Sequence, residues 1–273
     1  MRVLILIKHN QLDQSVVNFS SSLFEGTDTQ IHLLNIVPTN GEIPLQINGR
    51  VLDFCTEFDL SAYIKQTENN LDYLNSIKHP LVVARNSYAG NKMSILKDYI
   101  QTNQIDIIVG GAHKTTVMED AFVKTYPSRI IANTTLPYLT IKCNRDNFSP
   151  ERIALIGDFT IPSKENFDVI KTIAKRHESE ITLIKIQTPN DKRPDADIKQ
   201  VMQAFAEMNG LNATLKIIKS ADKESGVSEL HTDGFTDLIV VARRTKATFF
   251  SLFNHHTDQE NIVNHIYAPL LIC

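Results

Sequence analysis

Three histidines near the C-terminus offer the first candidate chemistry. His255-His256, His265 and Asp258 are the residue types that hold zinc. His256 and His265 stand nine positions apart, off an i, i+4 helical pair, and the set matches no Cys/His finger spacing, so surface or capping roles are expected and no metal is assigned. Cys55, Cys143 and Cys273 are too scattered for a disulfide framework, which points to a reducing compartment. Cys143 and Cys273 each close the last apolar run of one half, where a small apolar residue suits a strand end. No Ser/His/Asp or Cys/His triad can be placed. The acidic pairs Glu119-Asp120 and Asp222 with Glu224 fall near helix starts, where the helix dipole accounts for them. Phosphate cradles need glycine where backbone approaches oxygen. The chain has 10 glycines, with one adjacent pair, Gly110-Gly111. Both GxGxxG and GxxxxGK[ST] are absent. No catalytic residue is assigned, and a non-enzymatic role is expected.

The bulk composition narrows the field further. Across 273 residues, 28 Lys+Arg against 31 Asp+Glu give a net charge of −3, with 42% hydrophobic and 22% charged residues. That is the profile of a globular protein, not a disordered one. With no Lys/Arg-rich run, non-specific nucleic-acid binding is not expected. The longest apolar runs, such as Val3–Ile7 and Ile105–Val109, reach about a third of the ~18 residues a membrane helix needs. Arg2 leads straight into a run too short for a secretory signal, so a cytoplasmic location is expected.

The elements that would position any site occur twice. Arg2-Val-Leu-Ile-Leu-Ile7 is matched by Arg152-Ile-Ala-Leu-Ile156, and Ile31-His-Leu-Leu-Asn-Ile36 by Ile181-Thr-Leu-Ile-Lys-Ile186. Asp106-Ile-Ile-Val109 is matched by Asp237-Leu-Ile-Val240, and Pro137-Tyr-Leu-Thr-Ile141 by Pro269-Leu-Leu-Ile272. The offsets are 150, 150, 131 and 132, in preserved order, which indicates duplication. The expected halves are 1–143 and 151–273, joined by the polar segment Asn144–Pro150.

Each half alternates short apolar runs with helical patterns. The runs Val3–Ile7, Ile31–Val37, Leu81–Ala84, Ile105–Val109 and Tyr138–Ile141 do not alternate in polarity, as in strands buried on both faces. Leu12, Val16, Ser20 and Leu23 make a helical face ending before Gly26. Leu60, Tyr63, Ile64, Leu71 and Leu74 make another, with Asp59 as its N-cap. Ile198, Val201, Met202, Phe205 and Met208 repeat the pattern before Gly210. Such alternation predicts doubly wound α/β sheets with parallel strands. Their ligands bind beyond the carboxyl ends of the strands at the switch point, which directs attention to the residues after strands 1 and 4 of each half.

The two halves resemble universal stress protein domains. The residues that carry the resemblance are Ile31-His-Leu-Leu-Asn-Ile-Val-Pro38, Asp106-Ile-Ile-Val-Gly-Gly111, and the final strands opening at Pro137 and Pro269. The resemblance implies a tandem pair of five-stranded parallel sheets of order 3-2-1-4-5, of adenine nucleotide alpha hydrolase-like, Rossmann-like type, whose domains pair through their last strands. Nucleotide-binding members carry an Asp after strand 1 and G-x2-G-x9-G-[ST] after strand 4. In the first half Lys8 stands in the Asp slot. Gly111 keeps the first glycine, Lys114 and Lys124 replace the others, and Thr125 keeps the hydroxyl. In the second half Asp158 keeps the acid, Ala242 and Thr245 replace two glycines, and with a one-residue insertion His256 and Thr257 fill the remaining slots.

A Cβ at a slot needing positive φ costs on the order of 1 kcal/mol and blocks close backbone approach, so both nucleotide sites read as vestigial and no cofactor is expected. ATP bound by the second half is the alternative. A further alternative is an anion held by side chains. Lys8, His9, His113, Lys114 and Lys124 would gather around the first site, and Arg243 and Arg244 leave strand 4 of the second half at the same edge. The long connection Pro38–Asp59 carries Leu45, Ile47, Val51, Leu52, Phe54 and Phe58, and would either cover the first site or pack on the other half. The expectation is a stress-response regulator or scaffold working with a protein partner. Its halves would pair within the chain, and homodimers are also considered.

Overall fold

The computed structural model describes residues 1–26, 28–39, 60–111, 126–141, 146–159, 167–232, 236–242 and 268–273. They form two compact units, one of Met1–Gly111 with Asn144–Asn147, the other of Ala112–Cys143 with Phe148–Cys273.

The first unit runs β1 (Arg2–Leu6), α1 (Asp13–Phe24), β2 (Gln30–Pro38), α2 (Leu60–Ser76), β3 (Val82–Gly90), α3 (Lys92–Asn103) and β4 (Ile107–Gly111). Its strands are parallel in the order β3-β2-β1-β4. Val3, Leu4 and Ile5 are 0% exposed, as an unalternating apolar strand covered on both faces must be. Each such side chain contributes about 1.5–3 kcal/mol by leaving water. The turn after α1 uses Gly26 at φ 78, where the absence of Cβ removes the penalty. Ser15 Oγ donates to Asp146 Oδ1 and Ser22 Oγ to the Asp146 carbonyl, which ties Asp146 to α1.

Two details depart from the sequence expectation. The third strand continues past Ala84 to Gly90. As an edge strand it is only half-buried, so Arg85, Asn86, Ser87 and Tyr88 suit it although they break the apolar run. The inward stripe of α2 is Tyr63, Thr67, Asn70 and Leu74, continued by Ile77 just past its end, while Ile64 and Leu71 are 40% and 37% exposed. The stripe keeps helical spacing but includes a buried Asn70, whose hydrogen bonds replace apolar contact.

The second unit contains α4 (Tyr126–Asn133), β5 (Tyr138–Ile141), β6 (Arg152–Ile156), α5 (Asp168–His177), β7 (Glu180–Gln187), α6 (Asp195–Asn209), β8 (Ala213–Lys219), α7 (Lys223–Thr232), β9 (Leu238–Val241) and β10 (Leu270–Ile272). Its strands follow the order β5-β10-β9-β6-β7-β8, so the second half realises 3-2-1-4-5 as β8-β7-β6-β9-β10. These five are parallel, and β5, last strand of the first half, runs antiparallel to β10 with Leu271 opposite Leu139. Gly210 caps α6 in the left-handed conformation at φ 59.

The duplication extends to individual hydrogen bonds. Arg2 N–H donates to Asp106 Oδ2 at 2.7 Å, and Arg152 N–H donates to Asp237 Oδ2 at 2.9 Å. Asp106 N–H returns to the Arg2 carbonyl, and Asp237 N–H to the Arg152 carbonyl. Ile7 N–H reaches the Leu34 carbonyl as Gly157 N–H reaches that of Ile184. The offsets of 150 and 131 seen in the sequence therefore place Lys8 on Asp158, Asn35 on Lys185, Gly111 on Ala242 and Lys92 on Lys223.

Candidate functional site

Both crevices begin where the first strand of each repeat ends. In each, the third residue beyond the strand, after Leu6 or Ile156, adopts positive φ without being glycine. His9 lies at φ 61 and Phe159 at φ 45. A left-handed non-glycine costs roughly 1–2 kcal/mol, so each needs a compensating contact. The His9 ring stacks on Tyr73 with centroids 3.9 Å apart, and its Nδ1 donates to Asn70 Oδ1 at 3.0 Å. The Phe159 ring is 5% exposed, meets Phe205 edge-on at 5.2 Å, and lies over Gly157, where a Cβ would come within 2.9 Å of it. Gly157 is therefore glycine for the sake of Phe159.

In the first crevice the expected acid is Lys8. Its ammonium donates to the Gly111 carbonyl at 3.0 Å, joining the ends of β1 and β4. Partial burial lowers the Lys8 pKa. Asp13 opposes that shift and the positive charge of Lys92 adds to it. The Asp13 carboxylate accepts from the N–H groups of Lys8 and Asn10 and from the Tyr73 hydroxyl. Burial, the Asp13 charge and that hydrogen bond push Tyr73 up to about 12. Behind them Asn70 donates to Asn35, and Asn35 donates to the Ile7 carbonyl. Gly111 has a packing reason to lack a side chain, since a Cβ there would sit 3.0 Å from Val16 Cγ2 of α1.

In the second crevice Asp158 is committed internally. Lys223 at the start of α7 donates to its Oδ1 at 3.1 Å, and Lys185 of β7 donates to the same oxygen at 3.3 Å. Burial works to raise the Asp158 pKa, but the hydrogen bond from Lys223 and the charges of both lysines hold it below the usual carboxylate range. Lys185 is 3% exposed and also pairs with Asp191 at 3.2 Å. Asp191 receives the Arg193 guanidinium at 2.6 and 2.8 Å, and that hydrogen bond leads the causes that depress its pKa. Arg193 also donates to the carbonyls of Asp158 and Phe159, while Gln187 Nε2 donates to the carbonyls of Asp191 and Arg193. Three cations and two carboxylates thus bind the end of β6, the loop after β7 and the start of α7 into one network.

Of the residues nominated from the sequence, the structure brings Lys8 and Gly111 into contact and surrounds Asp158 with partners. Ala242 follows β9 and is buried. Lys114, Lys124, Thr125, Arg243, Arg244 and Thr257 lie outside the described residues, as do His113, His255, His256, His265 and nearly all of the Pro38–Asp59 connection. The sequence reading missed Lys185, Arg193, Asp191, Lys223 and Lys92. The available signal was Lys185, a lysine inside the apolar run Ile181–Ile186. Among the described residues no three His, Cys, Asp or Glu side chains group as metal ligands, and no helix is long and apolar enough to cross a membrane.

Comparison with solved structures defines the class of fold. The chain superposes over 100% of its length on 95% of a universal stress protein from Archaeoglobus fulgidus DSM 4304, with a TM-score of 0.66 and 12% identity. A functionally unknown protein from Pseudomonas aeruginosa PAO1 matches 99% of this chain over 91% of its own, with a TM-score of 0.59 and 14% identity. A proposed universal stress protein from Pseudomonas aeruginosa UCBPP-PA14 matches 99% of this chain over 92% of its own, at 0.58 and 14%. No protein-family model and no curated protein matches the sequence. The chain has the tandem α/β fold of the universal stress proteins.

Proposed function

We propose that this chain is a non-enzymatic regulator or scaffold of universal stress protein type. It acts in a cytoplasmic stress response through a protein partner, and its second crevice is a nucleotide site closed from within. The observation that carries this reading is the double occupation of Asp158 by Lys185 and Lys223. Both ammoniums meet Oδ1, so a nucleotide that bonded to that oxygen would have to displace them, one of them almost wholly buried. Stripping a partner from a buried ion pair costs about 3–5 kcal/mol, a large share of a micromolar binding energy of about −8 kcal/mol.

The test is nucleotide analysis of the purified full chain. With no tryptophan in the sequence, bound adenine would dominate the ultraviolet spectrum. A protein-like spectrum and an acid extract without adenine nucleotide are expected. Adenine nucleotide recovered in stoichiometric amount would refute the reading and favour the ATP-binding alternative. For the first crevice, Lys8 in the acid's place favours an anion held by side chains over a nucleotide.

A further inference from the structure

His32 lies inside the apolar run of β2 and is buried beneath α3. Its Nδ1 meets the Tyr99 hydroxyl of α3 at 3.1 Å, and its Nε2 is buried with no partner among the described residues. The Tyr99 oxygen already accepts from Asn86 Nδ2 at 2.8 Å, and Asn86 Oδ1 accepts from the Tyr88 hydroxyl at 3.2 Å. The hydrogen bonds therefore run one way, from Tyr88 through Asn86 and Tyr99 to the His32 ring. A neutral ring suits the end of that chain, because its Nδ1 accepts the Tyr99 proton. A doubly protonated ring does not. It carries two N–H donors, while Nδ1 faces a hydroxyl that donates to it and Nε2 has no acceptor.

The charges around the ring act in the same direction. From β1 comes Arg2, two residues before Leu4, the β1 neighbour of His32, and so on the same face of the sheet. Its guanidinium donates to the Asn103 carbonyl and to Gln104 Oε1 at the end of α3. The Asp106 carboxylate before β4 accepts the Arg2 N–H. From β3 come Asn86 and the half-buried Tyr88, and from α3 comes Tyr99. The charged side chains of α3 are Lys97 and Asp98, both exposed, and Lys92, two turns away at its start. No carboxylate pairs with His32 among the described residues. The second repeat has no such device. The offsets of 150 and 131 put Thr182 in the place of His32 and the buried Leu230 in that of Tyr99, and Thr182 is bonded to Thr214 at 2.9 Å.

We propose that His32 is a proton switch, which holds α3 on the sheet while neutral and releases it when protonated, baring Ile95, Leu96 and Tyr99. Burial, then the charge of Arg2, lowers the His32 pKa, so the closed form takes the proton less readily than the open one. The open form therefore gains as pH falls below the ordinary histidine value of about 6.5, by up to about tenfold per pH unit for one proton. The switch goes beyond the function proposed above and uses neither crevice.

Native-state hydrogen exchange of the full chain tests it, with amide rates at pH 7.5, 6.5 and 5.5 divided by the intrinsic rate at each pH to give opening constants. Those of Ile95, Leu96 and Tyr99 should rise by nearly tenfold between pH 6.5 and 5.5, while those of β1 and α7 stay level. The rise should vanish in His32→Gln. His79, whose pKa burial also lowers, meets Ser21 of α1, and His79→Gln should leave the rise in place. Opening of α3 indifferent to pH, an equal rise in His32→Gln, its loss in His79→Gln, or a rise shared equally by β1 and α7 overturns the proposal. If His32→Gln does not fold, the ring resonances of His32 in the parent decide. They should titrate only as α3 opens, and a ring that is protonated while α3 keeps its protection overturns the switch. Each of these results leaves the closed second crevice standing, because that is read from adenine nucleotide and Asp158.

Discussion

Lys185 is where the closure of the second crevice can be weighed. Its ammonium lies 3.3 Å from Asp158 and 3.2 Å from Asp191, and its side chain is 4% exposed. At an effective dielectric of ~20 each contact is worth about 5 kcal/mol before desolvation is counted. Replacement by methionine keeps the volume, so the cavity contribution is small. Asp158 retains Lys223 and Asp191 retains Arg193, which places the loss at the low end of the 3–5 kcal/mol range for removing one partner of a buried pair. Lys185→Met is therefore expected to cost about 3 kcal/mol, or about 6–12 °C in melting temperature by far-ultraviolet circular dichroism.

The pH dependence supplies the sign. Both carboxyls titrate below their ordinary values in the folded chain, Asp158 through its lysines against burial and Asp191 foremost through Arg193. Their contribution is complete above the unfolded Asp value of about 3.9, and is lost as pH falls through the lower folded values. Without Lys185 that acid loss should be shallower. A Lys185→Met variant within about 1 kcal/mol of the parent at neutral pH would refute the claim that this network holds the crevice shut.

Two further outcomes are expected. Phe159 sits at φ 45, so Phe159→Gly should be more stable than Phe159→Ala in thermal melts, reversing the usual order. Both should fall below the parent, with alanine losing about 3–5 kcal/mol for the buried ring. His32 is 6% exposed, its Nδ1 meets the Tyr99 hydroxyl at 3.1 Å, and its Nε2 has no partner among the described residues. Burial, then the charge of Arg2, lowers its pKa, so the unfolded chain binds the proton first and stability should decline as pH falls below about 6.5. In melts between neutral pH and about pH 5.5, His32→Gln should show less of that decline, and an unchanged pH profile would count against the buried neutral histidine.

The strands were legible because each central one is a β-branched run covered on both faces, which leaves the same imprint twice, as in Val3–Ile7 and Ile153–Ile156. Helix ends at Gly26 and Gly210 were legible for the same kind of local reason. The edge strand beyond Ala84 was not, since half-exposed polar residues carry no periodic signal. The inward face of α2 was misread because Asn70 is buried by hydrogen bonds to His9 and Asn35, a cause that lies in other elements. The same holds for the candidate site. Asp158 could be nominated from its position after a strand, but its neutralisation draws on β7, the loop before α6 and the start of α7, which no local pattern links. Lys114, Lys124, Thr125, Arg243, Arg244 and Thr257 lie outside the described residues.

Calorimetric titration of the full chain with magnesium-ATP tests the central claim most directly, because Asp158 is the one acid the nucleotide motif retains and it is already paired. The account predicts no saturable heat attributable to the second crevice, in the parent or in Asp158→Asn. Binding with a dissociation constant near 1 μM, about −8 kcal/mol, that disappears in Asp158→Asn would contradict it.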